Sequence, residues 1–140
     1  AYISMEDLRS MMKMYTPRFV VVDQGDKIKF AGAHRLDTPI MLKELYKQFR
    51  EIAKEFDTPV ITVGQAGFEA HGKKWIDESM LDYSRTGKAA EMDFIVCIGR
   101  TLGEEGNNLR YLNVCKNKPL GKHPRLTVNF NEETARYEDL

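Results

Sequence analysis

Two short apolar runs each lead into a polar side chain that could take part in chemistry. Asp23 directly follows the run at residues 19–22, and Gln65 follows the run at 60–63 after one glycine. In parallel α/β sheets, ligands bind beyond the carboxyl ends of the strands. A carboxylate there can hold a hydrated magnesium ion beside phosphates, and an amide can hydrogen-bond a phosphate or an attacking water. The alternative is that Asp23 begins a turn and that Gln65 is an ordinary exposed residue.

The segment between the two runs predicts how they are arranged. Apolar residues recur at three- and four-residue spacing over residues 39–56, which predicts an amphipathic helix. A strand, a helix and a strand in succession form a βαβ unit with parallel strands and a right-handed crossover. An N-capped helix is predicted over residues 4–16, because Ser4 precedes an apolar pattern that Pro17 ends.

The second half of the chain has a different pattern. Residues 94–98, 110–115 and 125–130 predict three strands joined by turns short enough for antiparallel neighbours. Residues 27–37 predict a basic loop, and the long polar segment 66–84 predicts a mobile loop of the kind that often carries function. Residues 1–140 are therefore predicted to form one α/β domain with a parallel half and an antiparallel tail.

Composition limits the classes of protein. The 140 residues are 42% hydrophobic, and 21 Lys and Arg balance 21 Asp and Glu, so net charge neither requires nor forbids a nucleic-acid partner. The apolar runs are too short to cross a bilayer and the N-terminus does not resemble a signal peptide, so an intracellular protein is expected. Cys97 and Cys115 lie in strand-like runs without metal-ligand spacing, which predicts packing thiols.

Several stretches, in order, resemble the RecA-type ATPase core of hexameric replicative DNA helicases of the bacterial DnaB type and their phage relatives. FVVVDQ resembles the Walker B strand of that family, and LYKQFREIAKEFDTPVITVGQ is similar to its next helix and strand. SRTGKAAEMDFIVCIGR resembles a small helix leading into a strand, and YLNVCKNKPLGKHPRLTVNFNEETARYED resembles the closing hairpin. The resemblance spans nearly the whole chain and implies a RecA-like P-loop NTPase core, with three layers, a mixed sheet and a C-terminal antiparallel hairpin.

The resemblance implies roles for individual residues. Asp23, with Gln24 beside it, would bind the nucleotide and organise its magnesium ion through water. Gln65 would couple the γ-phosphate to the DNA loops. Lys116 and Lys118 would reach across a subunit boundary toward a neighbour's nucleotide. Many members have arginine at the second of these positions, and Lys118 lacks its bidentate fork. Without the resemblance, the hairpin would be interpreted as a solvated basic turn.

Single-stranded DNA would lie in the loops at the centre of such a ring. Basic side chains would contact its phosphates, and an aromatic platform is not expected, so Phe68 and Trp75 are predicted to pack within their loop. The available basic residues are Lys27, Lys29, His34 and Arg35 in the first loop, and Lys73, Lys74, Arg85 and Lys88 in or near the second.

One motif is absent from the 140 residues: none of their segments matches GxxxxGK[ST]. The chain therefore resembles the C-terminal half of the domain, from Walker B onward, with an exposed sheet edge. The expected function is part of an ATP- and Mg²⁺-dependent replicative helicase. It would act as a homo-oligomeric, hexameric ring on single-stranded DNA in the cytoplasm of a bacterial or phage-infected cell. The intact protein would be the enzyme, and this chain alone is expected to be inactive.

Other functions remain open on the sequence. A strand-exchange recombinase or a clock-type ATPase would share Asp23 and Gln65. A non-catalytic module would bind single-stranded DNA or assemble through residues 116–122 without hydrolysing a nucleotide. A metal-dependent nuclease built around Asp23 is disfavoured, because no second carboxylate is convincingly placed beside it.

Overall fold

The computed structural model describes residues 3–81, 87–103 and 108–140. They fall into two compact units. The first contains the described residues of Ala1–Gln65 and Tyr83–Met92, and the second those of Ala66–Asp82 and Asp93–Leu140. In the part of the chain that the structure describes, no helix is long and apolar enough to span a membrane.

The first unit begins with helix α1, Met5–Tyr15, which confirms the predicted N-capped helix. A capping box starts it: Asp7 N–H donates to Ser4 Oγ at 3.1 Å, and Ser4 N–H donates to Asp7 Oδ2 at 2.9 Å. The hydrogen bond from the Ser4 backbone, followed by that from its side chain, lowers the pKa of Asp7. The helix ends at Thr16, whose left-handed conformation (φ 42°) precedes Pro17.

The βαβ unit predicted from the sequence is confirmed. Strand β1 is Val20–Val22, helix α2 is Thr38–Glu55, and strand β2 is Val60–Thr62. The two strands pair in parallel, with Val22 opposite Thr62 at their carboxyl ends. A short helix, α3, Lys88–Glu91, completes the unit.

The core of the first unit covers one face of this two-stranded sheet. Val21 and Ile61, on the other face, are 58% and 49% exposed. The sheet is thus packed on one face and bare on the other. The buried core residues are Met5, Leu8, Met12, Val22, Phe30, Leu42, Leu45, Tyr46, Phe49 and Ile52.

The second unit contains an antiparallel sheet in the order β3-β4-β5-β6. Its strands are Phe94–Gly99, Leu109–Asn117, Arg125–Asn131 and Arg136–Glu138. The first three confirm the predicted strands, whereas β6 was not predicted. The α/β class with a parallel part and an antiparallel tail is confirmed, with the two parts in separate sheets.

A bulge interrupts the pairing of β3 with β4. Ile95 faces Lys116 and Val96 faces Val114, so Cys115 is left without a residue opposite it. Its Sγ lies 3.3 Å from that of Cys97, and both are free thiols. Burial, followed by contact with Cys115, raises the pKa of Cys97 to about 12. The two cysteines are therefore neutral packing groups, as predicted.

The segment predicted as a mobile loop is fastened to the second unit's sheet over its described part, residues 66–81. Ala66 and Leu81 form an isolated β-bridge that closes the segment, which contains two short 3-10 helices. The side-chain amide of Asn113 donates to the carbonyl oxygen of Ile76 at 2.8 Å, and both residues are buried. A buried amide on a distant strand thus replaces the freedom that the polar composition suggested.

Replacing Ser4 with alanine should destabilise the protein by about 1 kcal/mol, because an N-terminal N–H of α1 loses its side-chain acceptor. Denaturant unfolding monitored by circular dichroism measures the change. Ser10→Ala is the matched control, since Ser10 is exposed on the same helix and donates only to the Glu6 carbonyl. Equal destabilisation by the two substitutions would contradict the capping role.

Candidate functional site

Asp23 and Gln65 emerge at the same edge of the parallel sheet. Val63 N–H donates to the Val22 carbonyl at 3.4 Å, which extends the β1–β2 ladder past the last paired residues. Asp23 is the next residue of the first segment and is exposed in a turn, and Gln65 is exposed two residues beyond Val63. The arrangement follows from the parallel register, as the sequence predicted.

The turn that bears Asp23 is attached to strand β2. Gln24 adopts a left-handed conformation (φ 53°), and the buried Gly25 then donates its N–H to Thr62 Oγ1 at 3.0 Å. A Cβ at Gly25 would overlap that hydroxyl and lie 3.2 Å from the Phe49 ring. Only glycine therefore fits where the turn meets the strand.

A buried charged cluster lies directly behind this turn. Lys88, at the start of α3, is 1% exposed, and its Nζ lies 2.8 Å from Asp26 Oδ2. Tyr46, from α2, donates its hydroxyl to Asp26 Oδ1 at 2.6 Å. The Asp26 carboxylate thus has a donor at each oxygen.

The position of Lys88 differs from the sequence expectation. Lys88 was predicted to contact DNA phosphates, but its ammonium is buried and paired with a carboxylate of its own chain. The sequence contained one signal of this position, since Lys88 precedes Ala89 and Ala90 in a short helix with little apolar surface of its own. Its partner, Asp26, was assigned only to a loop.

The hydroxyl of Tyr46 stays protonated at neutral pH. Burial, followed by the hydrogen bond to Asp26 and the charge of that carboxylate, raises the pKa of Tyr46 far above its usual value. Lys88 Nζ also lies 5.3 Å from the centroid of the Tyr46 ring, within the range of a cation–π contact. The cluster is therefore held by a neutral donor, a cation and one carboxylate.

The basic residues predicted in the first loop are exposed. Lys27 and Arg35 each end a 3-10 helix, at Gly25–Lys27 and Ala33–Arg35, and His34 is exposed beside Arg35. Lys29 is exposed, and its carbonyl accepts the N–H of Met5 at 2.8 Å. All four side chains can reach solvent, and their role in DNA binding stays a prediction.

The predicted second loop has a mixed outcome. Lys73 and Lys74 are exposed, and Lys74 Nζ lies 4.7 Å from the centroid of the Tyr111 ring. Arg85 lies outside the described residues. Trp75 is half-buried and meets the Tyr111 ring edge-on at 5.4 Å, so its predicted packing is confirmed.

The predicted packing of Phe68 is wrong. Its side chain is 94% exposed, and its ring stacks on that of His71 at 6.4 Å. In the 3-10 helix Phe68–Ala70, Ala70 is the buried residue, so the turn directs the phenyl ring outward.

Lys116 and Lys118 flank the end of strand β4. Lys116 is half-buried opposite Ile95, immediately after the bulge at Cys115. Lys118 is exposed, and its Nζ lies 3.1 Å from Asp93 Oδ1. A surface pair of this kind contributes about 0–1 kcal/mol, so little free energy is needed to release the ammonium.

The turn after these lysines is ordered by one side chain. Asn117 is buried; its Oδ1 accepts the N–H of Leu120 at 3.1 Å, and its Nδ2 donates to the carbonyl of Lys122 at 2.8 Å. The hairpin end is therefore a defined turn that holds Lys116 and Lys118 on one short segment.

Comparison with known proteins identifies the fold. No protein-family model matches the chain, and no curated protein does. Two solved structures align with all of it at 18% identity: the ATPase domain of a DnaB-like helicase, with a TM-score of 0.86, and a DnaB-like replicative helicase described with its primase interactions, with a TM-score of 0.85. The chain has the RecA-like fold of a DnaB-type helicase ATPase domain. It spans 52% of the first matched chain and 36% of the second, so this fold is present in part.

This RecA-like fold gives the position of Asp23 a physical meaning. Open α/β sheets bind ligands outside the carboxyl ends of their parallel strands. Asp23 and Gln65 occupy that edge in the first unit, whereas Lys116 and Lys118 belong to the second. The fold thus supplies the candidate site with two polar groups from β1 and β2.

Replacing Gly25 with alanine should destabilise the protein by about 1–3 kcal/mol, because the added methyl group overlaps Thr62 and crowds Phe49. The urea midpoint of unfolding measures the loss. Gly64→Ala is the control: the nearest atoms to its Cβ would be 3.7 and 4.0 Å away, so the methyl group fits. An unchanged midpoint for Gly25→Ala would contradict the tight attachment of the turn.

Proposed function

We propose that the chain is part of an ATP-dependent DNA helicase, which translocates on single-stranded DNA by hydrolysing ATP between the subunits of a ring. The main support is the alignment of the whole chain with helicase ATPase domains at TM-scores of 0.86 and 0.85. The placement of Asp23 and Gln65 at the carboxyl edge of the parallel sheet adds to it.

The residues at this edge suit a magnesium nucleotide. Among the described residues, no group of three or more His, Cys, Asp or Glu side chains could hold a metal ion. A single exposed carboxylate, Asp23, fits magnesium, which keeps several waters and takes phosphate oxygens as ligands. When bound, magnesium would neutralise developing charge on the phosphates. Asp23 would accept a hydrogen bond from a metal-bound water, Gln24 would lie beside the nucleotide, and the Gln65 amide would bond its terminal phosphate.

The activity is proposed for the full-length protein. The sequence contains no GxxxxGK[ST] loop to cradle the phosphates, and the chain spans about half of the first matched ATPase domain. In the first unit Val21 and Ile61 are exposed on one sheet face, and in the second unit Phe94 and Val96 are 52% and 43% exposed. Apolar sheet faces of this kind are normally covered in an α/β domain. We therefore assign the phosphate loop and the missing cover to the remainder of the protein.

The lysines of the hairpin are proposed to act on a neighbouring subunit. Lys116 and Lys118 would bring positive charge to the nucleotide of the adjacent copy, where charge develops during phosphoryl transfer. The weak pair between Lys118 and Asp93 would have to open first. A closed homo-oligomeric ring, proposed to be hexameric, brings every copy into this relation.

Single-stranded DNA is the proposed track. Exposed basic side chains would bind its phosphates, so affinity should fall with rising salt concentration. A replicative role would place the protein in the cytoplasm of a bacterial or phage-infected cell. The proposed contacts are Lys27, Lys29, Arg35, Lys73, Lys74 and Arg85.

Asp23→Ala in the full-length protein should reduce magnesium-dependent ATP hydrolysis at least about 100-fold, because the metal-bound water loses its acceptor. Steady-state phosphate release with and without single-stranded DNA measures this. The control is Asp37→Ala, since Asp37 is exposed and makes no capping hydrogen bond to α2.

The same assays separate the other candidate functions. DNA-stimulated hydrolysis with strand unwinding supports a helicase, whereas pairing of homologous strands would indicate a recombinase. If Asp23→Ala left hydrolysis unchanged, or if the wild-type protein bound DNA without hydrolysing ATP, the helicase proposal would fail in favour of a non-catalytic module.

Lys116→Ala should impair hydrolysis only through the neighbouring subunit. Rings of Lys116→Ala subunits alone, or of Asp23→Ala subunits alone, should be inactive. Mixed rings should regain activity at roughly one interface in four, where an intact Asp23 meets an intact Lys116 from the adjacent copy. Phosphate release after subunit exchange measures the recovery.

Lys122→Ala is the matched control, because Lys122 is exposed in the same hairpin turn and is involved through its backbone carbonyl. No recovery in mixed rings that have exchanged subunits would contradict action across the boundary. Full activity of Lys116→Ala rings would remove Lys116 from the reaction.

A further inference from the structure

Lys88 is a buried cation that the proposed reaction does not use. Its side chain is among the largest that are fully buried, at 1% exposure. A buried ammonium must either be paired or lose its charge, and Lys88 is paired with Asp26 at 2.8 Å. Such a group is costly to keep, so its position calls for an explanation beyond packing.

The pair joins three elements of the first unit. Asp26 belongs to the turn after β1, Tyr46 to α2, and Lys88 to α3. Because Tyr46 and Lys88 each occupy one carboxylate oxygen, at 2.6 and 2.8 Å, Asp26 cannot rotate without losing a donor. The turn is thereby held in one orientation relative to both helices.

Lys88 also lies beside both segments that bear the proposed nucleotide residues. Asp26 is three positions after Asp23 on the same turn. Gly64 immediately precedes Gln65, and a Cβ placed on it would be 3.7 Å from Lys88 Nζ. One ammonium group therefore contacts the turn of Asp23 and approaches the strand end that leads to Gln65.

On its other side, Lys88 is close in sequence to a proposed DNA contact. Arg85 is three residues earlier, and Gly87, in a left-handed conformation (φ 77°), is the N-cap residue of α3. Any force on this stretch from bound DNA would act directly on the helix that carries Lys88.

We infer that Lys88 is a positioning residue that couples DNA binding to ATP hydrolysis, through its ion pair with Asp26 and the hydrogen bond of Tyr46 to the same carboxylate. The inference rests on the proposed function. It assigns Lys88 no contact with DNA or nucleotide, since its ammonium is enclosed by groups of its own unit.

Stability and coupling can be separated at this site. Replacing both members of a buried ion pair by apolar residues of similar size is often neutral or stabilising, whereas removing one member leaves an unpaired charge. The double variant Asp26→Leu/Lys88→Met therefore removes the charged link while filling the space. A purely structural pair could be replaced in this way without loss of function.

The experiment compares the full-length wild type, the double variant and Lys47→Met. Lys47 is the matched control because it lies on α2 in an exposed pair, 4.0 Å from Glu51. Thermal unfolding monitors the fold, and phosphate release with and without an oligo(dT) strand monitors coupling. We expect the double variant to keep its unfolding midpoint and to lose roughly tenfold in DNA stimulation, in kcat rather than in KM for ATP. Lys47→Met should keep full stimulation.

Two results would overturn the inference while leaving the proposed function intact. One is wild-type stimulation in the folded double variant. The other is a fall of about one unit in the salt dependence of its oligo(dT) binding, which would make Lys88 a direct phosphate contact. A wild type that does not hydrolyse ATP would instead remove the proposed function, and the inference with it.

A milder variant covers the case in which the double variant does not fold. Tyr46→Phe removes only the hydroxyl that bonds Asp26 and keeps the ring beside Lys88. We expect a smaller loss of DNA stimulation with an unchanged salt dependence of binding. Full stimulation in Tyr46→Phe, with the double variant unfolded, would overturn the inference.

Discussion

The parallel pairing of β1 with β2 is the constraint on which the first unit depends. Each strand has only three residues, yet the register that places Val22 opposite Thr62 sets the edge at which Asp23 and Gln65 emerge. The same register presents the Thr62 hydroxyl to the N–H of Gly25. A slip by one residue would turn Thr62 to the opposite face of the sheet and break that hydrogen bond. Helix α2 opposes such a slip, because its core residues lie against one face only.

Buried polar contacts, rather than apolar packing alone, fasten the connecting segments to the sheets. Asp26 holds the turn after β1 through Tyr46 and Lys88, and Asn113 holds the segment 66–81 through the carbonyl of Ile76. Leaving a buried donor or acceptor without its partner costs about 1–3 kcal/mol, which is a large share of a domain's stability. Each contact thus selects one loop conformation from the many that a polar segment could adopt.

Features with a regular repeat could be predicted from the sequence. The spacing of apolar residues in α2 and in the strands reflects burial on one face, and the edge shared by Asp23 and Gln65 followed from the βαβ order. Strand β6 escaped prediction because its three residues are all exposed. The burial of Lys88 could not be read from local pattern, because its partner lies 62 residues away. Phe68 was misplaced for a similar reason, since the direction of its ring depends on a single 3-10 turn.

The enclosed pair of Asp26 and Lys88 also has a consequence for how this sequence can evolve. A neutral residue at either position strands the opposite charge in an environment with little water, so single replacements are selected against. Joint replacement avoids that penalty. In descendants of this chain, positions 26 and 88 are therefore expected to change together, as a correlated substitution between residues far apart in sequence.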